Sequence, residues 1–145
     1  LWVDVGAPDR YMRATRLLLE RTADRLDASV ILLEGADVSD DARTDGLICI
    51  GRNARVDVGA TVLGPSVIGH ATTIATGAVE ERSVLWEDVE IAAGASVVNS
   101  VIGAGCVIGP RARLDGAILA DGARVGEGHV LPPDAKLLPD ETAGL

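Results

Sequence analysis

The sequence predicts a mainly β chain, a parallel β-helix of about five coils preceded by a short α-helical segment. Three observations predict it. Large aliphatics recur every five or six residues from Ile50 to Leu131. A second step of seventeen residues runs through them: Ser66, Ser83, Ser100 and Ala117 are spaced by it, and so are Ile68, Leu85, Ile102 and Leu119. Aromatic side chains make up only 2% of the 145 residues (Trp2, Tyr11 and Trp86, with no Phe), while glycine supplies 17. A core filled by small aliphatics, with many glycines at bends, suits a narrow wound architecture better than a bundle or a doubly wound sheet.

The elements follow in chain order. Residues 1–46 show no six-residue pattern. Pro8 can open a helix at its first turn, and Tyr11, Ala14, Leu17 and Leu18 recur at three or four, so 8–21 reads as an amphipathic helix. Val30, Ile31, Leu32 and Leu33 form a candidate short strand, and the acid-rich stretch 35–46 reads as a connector. From there the expected inward aliphatics are Ile50, Val56, Val62, Ile68, Ile74, Val79, Leu85, Ile91, Val97, Ile102, Ile108, Leu114, Leu119, Val125 and Leu131. A small residue stands about four places after most of them, among them Ala54, Ala60, Ser66, Thr72, Ala78, Ala95, Cys106 and Ala112. A period of six is neither helical nor that of one strand. It suits a short strand and a turn, repeated, with three such sides closing a triangular coil. Seventeen is two six-residue sides and one of five. The expected segments are therefore 1–21, a linker 22–46, a β-helix 47–138 and a polar tail 139–145, with Pro132 and Pro133 blunting the last edge.

Composition narrows the function. Lysine and arginine number 13 against 22 acids, a net charge of −9. Six basic side chains face ten acidic ones before Leu47, and seven face twelve after it. A surface negative throughout, without basic stripes or stacking aromatics, argues against nucleic acid and anionic membranes as partners. No apolar run approaches the ~18 residues of a membrane helix. The opening residues lack the basic and apolar regions of a signal peptide. Cys49 and Cys106 stand about three coils apart at ~4.8 Å per coil, too far for a disulfide. Cys106 falls in a small inward slot. A reducing cytoplasm is the expected location. The first residue is Leu, so the chain is expected to be an internal piece of a longer protein.

The strings IGAGCV, IGPRAR and IAAGAS resemble the hexapeptide-repeat, left-handed parallel β-helix family, and the handedness is implied by that resemblance alone. The opening LWVDVGAPDRYMRAT resembles the W-x-D-x-G-T-P-x-x-Y-x-x-A segment near the end of the catalytic domain of sugar-1-phosphate nucleotidyltransferases, with Asp4, Gly6, Pro8 and Tyr11 in register. The ending GHVLPPDAKL is similar to the late VLP segment of GDP-mannose pyrophosphorylases. The resemblance implies that 1–21 is the end of such a catalytic domain. It implies a reaction in which a sugar 1-phosphate attacks the α-phosphorus of a nucleoside triphosphate and pyrophosphate leaves. Charge neutralisation and positioning would carry that reaction. It implies Mg²⁺ as cofactor, with Asp4 as one of two carboxylates holding it. The glycine-rich phosphate loop and substrate lysines of the family do not occur here, so the chain by itself is expected to be inactive.

Two other readings stand beside this one. A hexapeptide-repeat acyltransferase would use a histidine as general base at a subunit seam. His70 and His129 are the two histidines; His70 takes the third place of its hexad, pointing outward, and His129 a small inward slot. Alternatively, the β-helix is a non-catalytic module for homo-oligomerisation or effector binding, with the outward Trp86 as the contact point.

Overall fold

The structure is a computed structural model and describes residues 8–26 and 29–145. It is a three-sided parallel β-solenoid of about six coils with one helix at its N-terminal side. The first face stacks Val30–Leu32, Ile48–Ile50, Ser66–Ile68, Val84–Leu85, Val101–Ile102, Ile118–Leu119 and Lys136–Leu137. The second stacks Asp37–Val38, Arg55–Val56, Thr73–Ile74, Glu90–Ile91, Val107–Ile108, Arg124–Val125 and Thr142–Ala143. The third stacks Arg43–Asp45, Thr61–Leu63, Val79–Glu81, Ser96–Val98 and Arg113–Asp115. Every pairing is parallel, as a coil that always turns the same way requires.

The core is a column of aliphatics, one from nearly every side of each coil. Ile50, Ile68, Leu85, Ile102 and Leu119 stack on the first face and Val56, Ile74, Ile91, Ile108 and Val125 on the second, all buried. Small residues fill the corners: Ala54, Ala60, Ser66, Thr72, Ala78, Ser83, Ala95, Ser100, Cys106, Ala112, Ala117 and Ala123 are all at 0% exposure. Many corner glycines take positive φ, among them Gly59, Gly77, Gly94 and Gly105. The serines spaced by seventeen do stack. The Ser83 N–H donates to Ser66 Oγ (3.3 Å), Ser100 N–H to Ser83 Oγ (3.0 Å) and Ala117 N–H to Ser100 Oγ (3.0 Å).

Four expectations are corrected. The stretch expected as a linker carries a full coil: Val30–Leu32, Asp37–Val38 and Arg43–Asp45 pair with Ile48–Ile50, Arg55–Val56 and Thr61–Leu63. Leu32, Val38, Thr44 and Ile50 are spaced by six and Ala36 and Ala42 fill the corners, but a Thr in an aliphatic slot and acids on the outside hide the pattern. The stretch expected as a polar tail also pairs, Thr142–Ala143 lying beside Arg124–Val125. On the third face it is Glu80, not Val79, that aligns with Val62 and Val97 and points inward. The helix runs from Pro8 to Leu26, longer than 8–21, and its apolar stripe is not the expected one. Leu17 and Leu18 are exposed and Ala14 faces outward, while Leu19 is buried where the helix packs near the Ser66–Ile68 strand. The side of the helix that meets the solenoid is the one bearing Thr15 and Leu19, four residues apart.

Both cysteines are free. The Cys106 thiol donates to the Ala120 carbonyl oxygen (3.1 Å), as the Thr72 hydroxyl at the same corner donates to that of Trp86 (2.9 Å). Burial pushes the Cys106 thiol up to about 11, which makes it an inert core residue.

Candidate functional site

His70 sits at the corner between the first and second faces, two places after the inward Ile68. The strand before it and the turn after it, where Ala71 adopts a φ of 57°, hold its ring against the coil below. There the Arg52 N–H donates to His70 Nδ1 at 2.8 Å. The same bond recurs at the equivalent place three coils on, where the Ala104 N–H donates to Asp121 Oδ1 at 2.8 Å. Both side chains cap an otherwise unpaired turn N–H. A neutral imidazole whose Nδ1 accepts carries its proton on Nε2. His70 therefore has no free lone pair with which to take a proton from a substrate.

His129 lies half-buried at a different corner, between the second and third faces, about three coils away, which at ~4.8 Å per coil is roughly 14 Å. The structure does not bring the two histidines together. Trp86 stands one place after Leu85 at a corner position held elsewhere by Gly51, Gly69, Gly103 and Ala120, and is half-buried. Its backbone oxygen accepts the Thr72 hydroxyl. Asp4 lies outside the described residues. Among the described residues no group of three or more His, Cys, Asp or Glu side chains could hold a metal ion.

One chemically unusual residue escaped the sequence reading. Glu80 occupies an aliphatic slot in the middle of the core, at 0% exposure. Its Oε1 lies 2.9 Å from Ser66 Oγ, and its Oε2 has no partner. Burial holds this carboxyl well above the ordinary carboxylate range; the Ser66 hydroxyl and the Ser83 N–H oppose that shift and neighbouring Glu81 adds to it. The seventeen-residue step could have found it, since Glu80, Val97 and Leu114 lie on one such line whereas Val79 leads to Ser96 and the outward Arg113.

The family model of the GMPPB C-terminal domain matches residues 44–142. This chain belongs to that family. The GMPPB C-terminal domain is the hexapeptide-repeat β-helix part of GDP-mannose pyrophosphorylase-like proteins, and the three-sided parallel stack agrees with it. Its solved structural neighbours are hexapeptide transferases. The acetyltransferase domain of PglB from Neisseria gonorrhoeae FA1090 is 25% identical with a TM-score of 0.69, over 90% of this chain and 62% of that one. A hexapeptide transferase family protein from Anaplasma phagocytophilum, 22% identical with a TM-score of 0.74, covers 78% of this chain and 72% of its own, and shows the fold alone. The perosamine N-acetyltransferase from Caulobacter crescentus, in complex with CoA and GDP-perosamine, is 25% identical with a TM-score of 0.57 over 84% and 59%. The chain spans about three-fifths of the PglB acetyltransferase domain and of the perosamine N-acetyltransferase that it matches. Among its described residues no helix is long and apolar enough to cross a membrane.

Proposed function

We propose that the chain is the C-terminal part of a sugar-1-phosphate nucleotidyltransferase of the mannose-1-phosphate guanylyltransferase kind. Its solenoid serves homo-oligomerisation or regulation in the cytoplasm, and its chemistry resides in a preceding domain. The family match over residues 44–142 is the observation that carries this reading. The segment around Asp4, Gly6, Pro8 and Tyr11, in register with the end of such a catalytic domain, supports it. In the intact enzyme a sugar 1-phosphate and a nucleoside triphosphate are the substrates. Asp4 is one of two carboxylates holding Mg²⁺, which neutralises phosphate charge when bound.

The acetyltransferase neighbours at 25% identity favour a second reading, acyl transfer with His70 as base. The engaged Nδ1 of His70 speaks against it. The deciding experiment takes the polypeptide from the whole reading frame and measures pyrophosphate release from GTP and mannose 1-phosphate. Turnover is expected, and Asp4→Asn is expected to lower it by about 100-fold or more without moving the melting temperature. Acetyl-CoA-dependent acylation that disappears in His70→Ala would overturn the proposal in favour of its rival.

A further inference from the structure

Ser66 stands in the corner slot beside the buried Glu80, and its hydroxyl has too many neighbours for one proton. Ser66 Oγ lies 2.8 Å from the Leu63 carbonyl oxygen and 2.9 Å from Glu80 Oε1, and it accepts the Ser83 N–H. A hydroxyl donates once, and a carbonyl cannot donate at all. The equivalent serines show where the proton goes. Ser83 Oγ donates to the Glu81 carbonyl (2.9 Å) and Ser100 Oγ to that of Val98 (2.8 Å), and each accepts the N–H of the residue seventeen places on. Ser66, in the same ladder, gives its proton to Leu63. Its contact with Glu80 then requires a proton from the other side.

We propose that Glu80 is a carboxylic acid in the folded chain at neutral pH, donating through Oε1 to Ser66, so that the solenoid takes up one proton as it folds and is loosened by alkali.

The unpartnered Oε2 fits this assignment. As the carbonyl oxygen of a neutral acid it is an unused acceptor, far less costly to bury than a bare carboxylate oxygen. Among the described residues the surroundings offer no compensating cation. The strands packed around Glu80, namely Thr61–Leu63, Ser66–Ile68, Thr73–Ile74, Val84–Leu85 and Ser96–Val98, carry no charged side chain. On its own strand Glu81 points outward, where it pairs with Arg82, and Arg82 is engaged a second time by Asn99 Oδ1. The sign of the pH effect follows. An unfolded glutamate titrates near ~4.3. Between that value and the higher folded one, the folded chain holds the extra proton. Stability is therefore greatest at acid pH and falls as pH rises through this window, the unfolding constant growing about tenfold per unit. Above the folded value the loss levels off.

The test is equilibrium urea unfolding of the full chain from about pH 5 to about pH 9, for the wild type and Glu80→Gln, with the infrared carboxyl spectrum of the folded wild type at neutral pH. Glutamine keeps a donor for Ser66 and does not titrate. The unfolding constant of the wild type is expected to rise relative to that of Glu80→Gln by about tenfold per unit across the window, and the variant is expected to be the more stable protein at the alkaline end. The wild type is expected to show a protonated-acid carbonyl stretch that the variant lacks. Should Glu80→Gln fail to fold, Glu80→Leu, which places in this slot the residue found at Leu114, serves as the reference. Parallel pH profiles, or a wild-type spectrum of carboxylate alone, would overturn the proposal.

Discussion

A methyl group added at Gly69 would lie 2.2 Å from the Trp86 carbonyl oxygen and 2.4 Å from its carbon, both backbone atoms of the coil above. Gly69 is there because the two coils touch at that point. Gly77 differs, having a φ of +71° with nothing within 4 Å of where a Cβ would stand. Its constraint is the left-handed backbone alone. Gly69→Ala is therefore expected to destabilise by about 3 kcal/mol, since backbone must move. Gly77→Ala is expected to cost about 1 kcal/mol, the left-handed penalty of an L-residue. Urea unfolding of the two variants checks the ranking, and a Gly77→Ala as damaging as Gly69→Ala would contradict it.

At the scale of a coil side, the serine ladder answers a shortage. Where a side has six residues, the corner N–H reaches a backbone carbonyl below it, as Ser66 N–H does at Leu47 (2.9 Å). Where a side has five, the backbone falls short, and the N–H of Ser83, Ser100 or Ala117 finds a hydroxyl one coil down. Ser83→Ala should leave the buried Ser100 N–H without an acceptor, while the Glu81 carbonyl keeps the Asn99 N–H (2.9 Å). A loss of about 1–3 kcal/mol is expected from chemical denaturation, and Ser83→Thr, which retains the hydroxyl, should recover part of it.

The ladder also explains what could be read from the chain and what could not. Coils between Ile50 and Leu131 are legible because nearly every side spends its one inward position on a large aliphatic and most corners hold a small residue. The coil at 30–45 is not, because Thr44 takes an inward slot and Asp37, Asp40, Asp41 and Asp45 crowd the sequence around it. Glu80 was missed because Val79 beside it satisfies a loose five-or-six spacing, and only the longer beat separates the two. His70 was correctly placed on the outside, but the bond from the Arg52 N–H joins residues 18 apart and leaves no mark in a one-dimensional pattern. The helix stripe was misjudged because the solenoid, not the helix, decides which side is covered. Outward-pointing Val84, Val101 and Ile118 on the first face are themselves buried, at 4%, 6% and 5%.

At the scale of the whole molecule, a stack held by parallel pairing has neighbours only above and below. Each coil from Ser66 to Ala117 meets its neighbours in the same register. Removal of residues 84–100, seventeen in all, would join Ser83 to Val101 and set the Ser66–Ile68 strand beside Val101–Ile102. The shortened chain is expected to fold in one cooperative transition, with its urea m-value reduced by roughly a sixth. Removing 84–99 instead would leave a six-residue side from Glu80 to Ile102, the length from Val62 to Ile68, so a folded product with the later side chains on their own surfaces is expected by circular dichroism. A protein wound this way counts in whole turns. Its descendants can grow or shrink by one storey at a time, and a slip of a single residue is forbidden to them wherever the stair has no landing to absorb it.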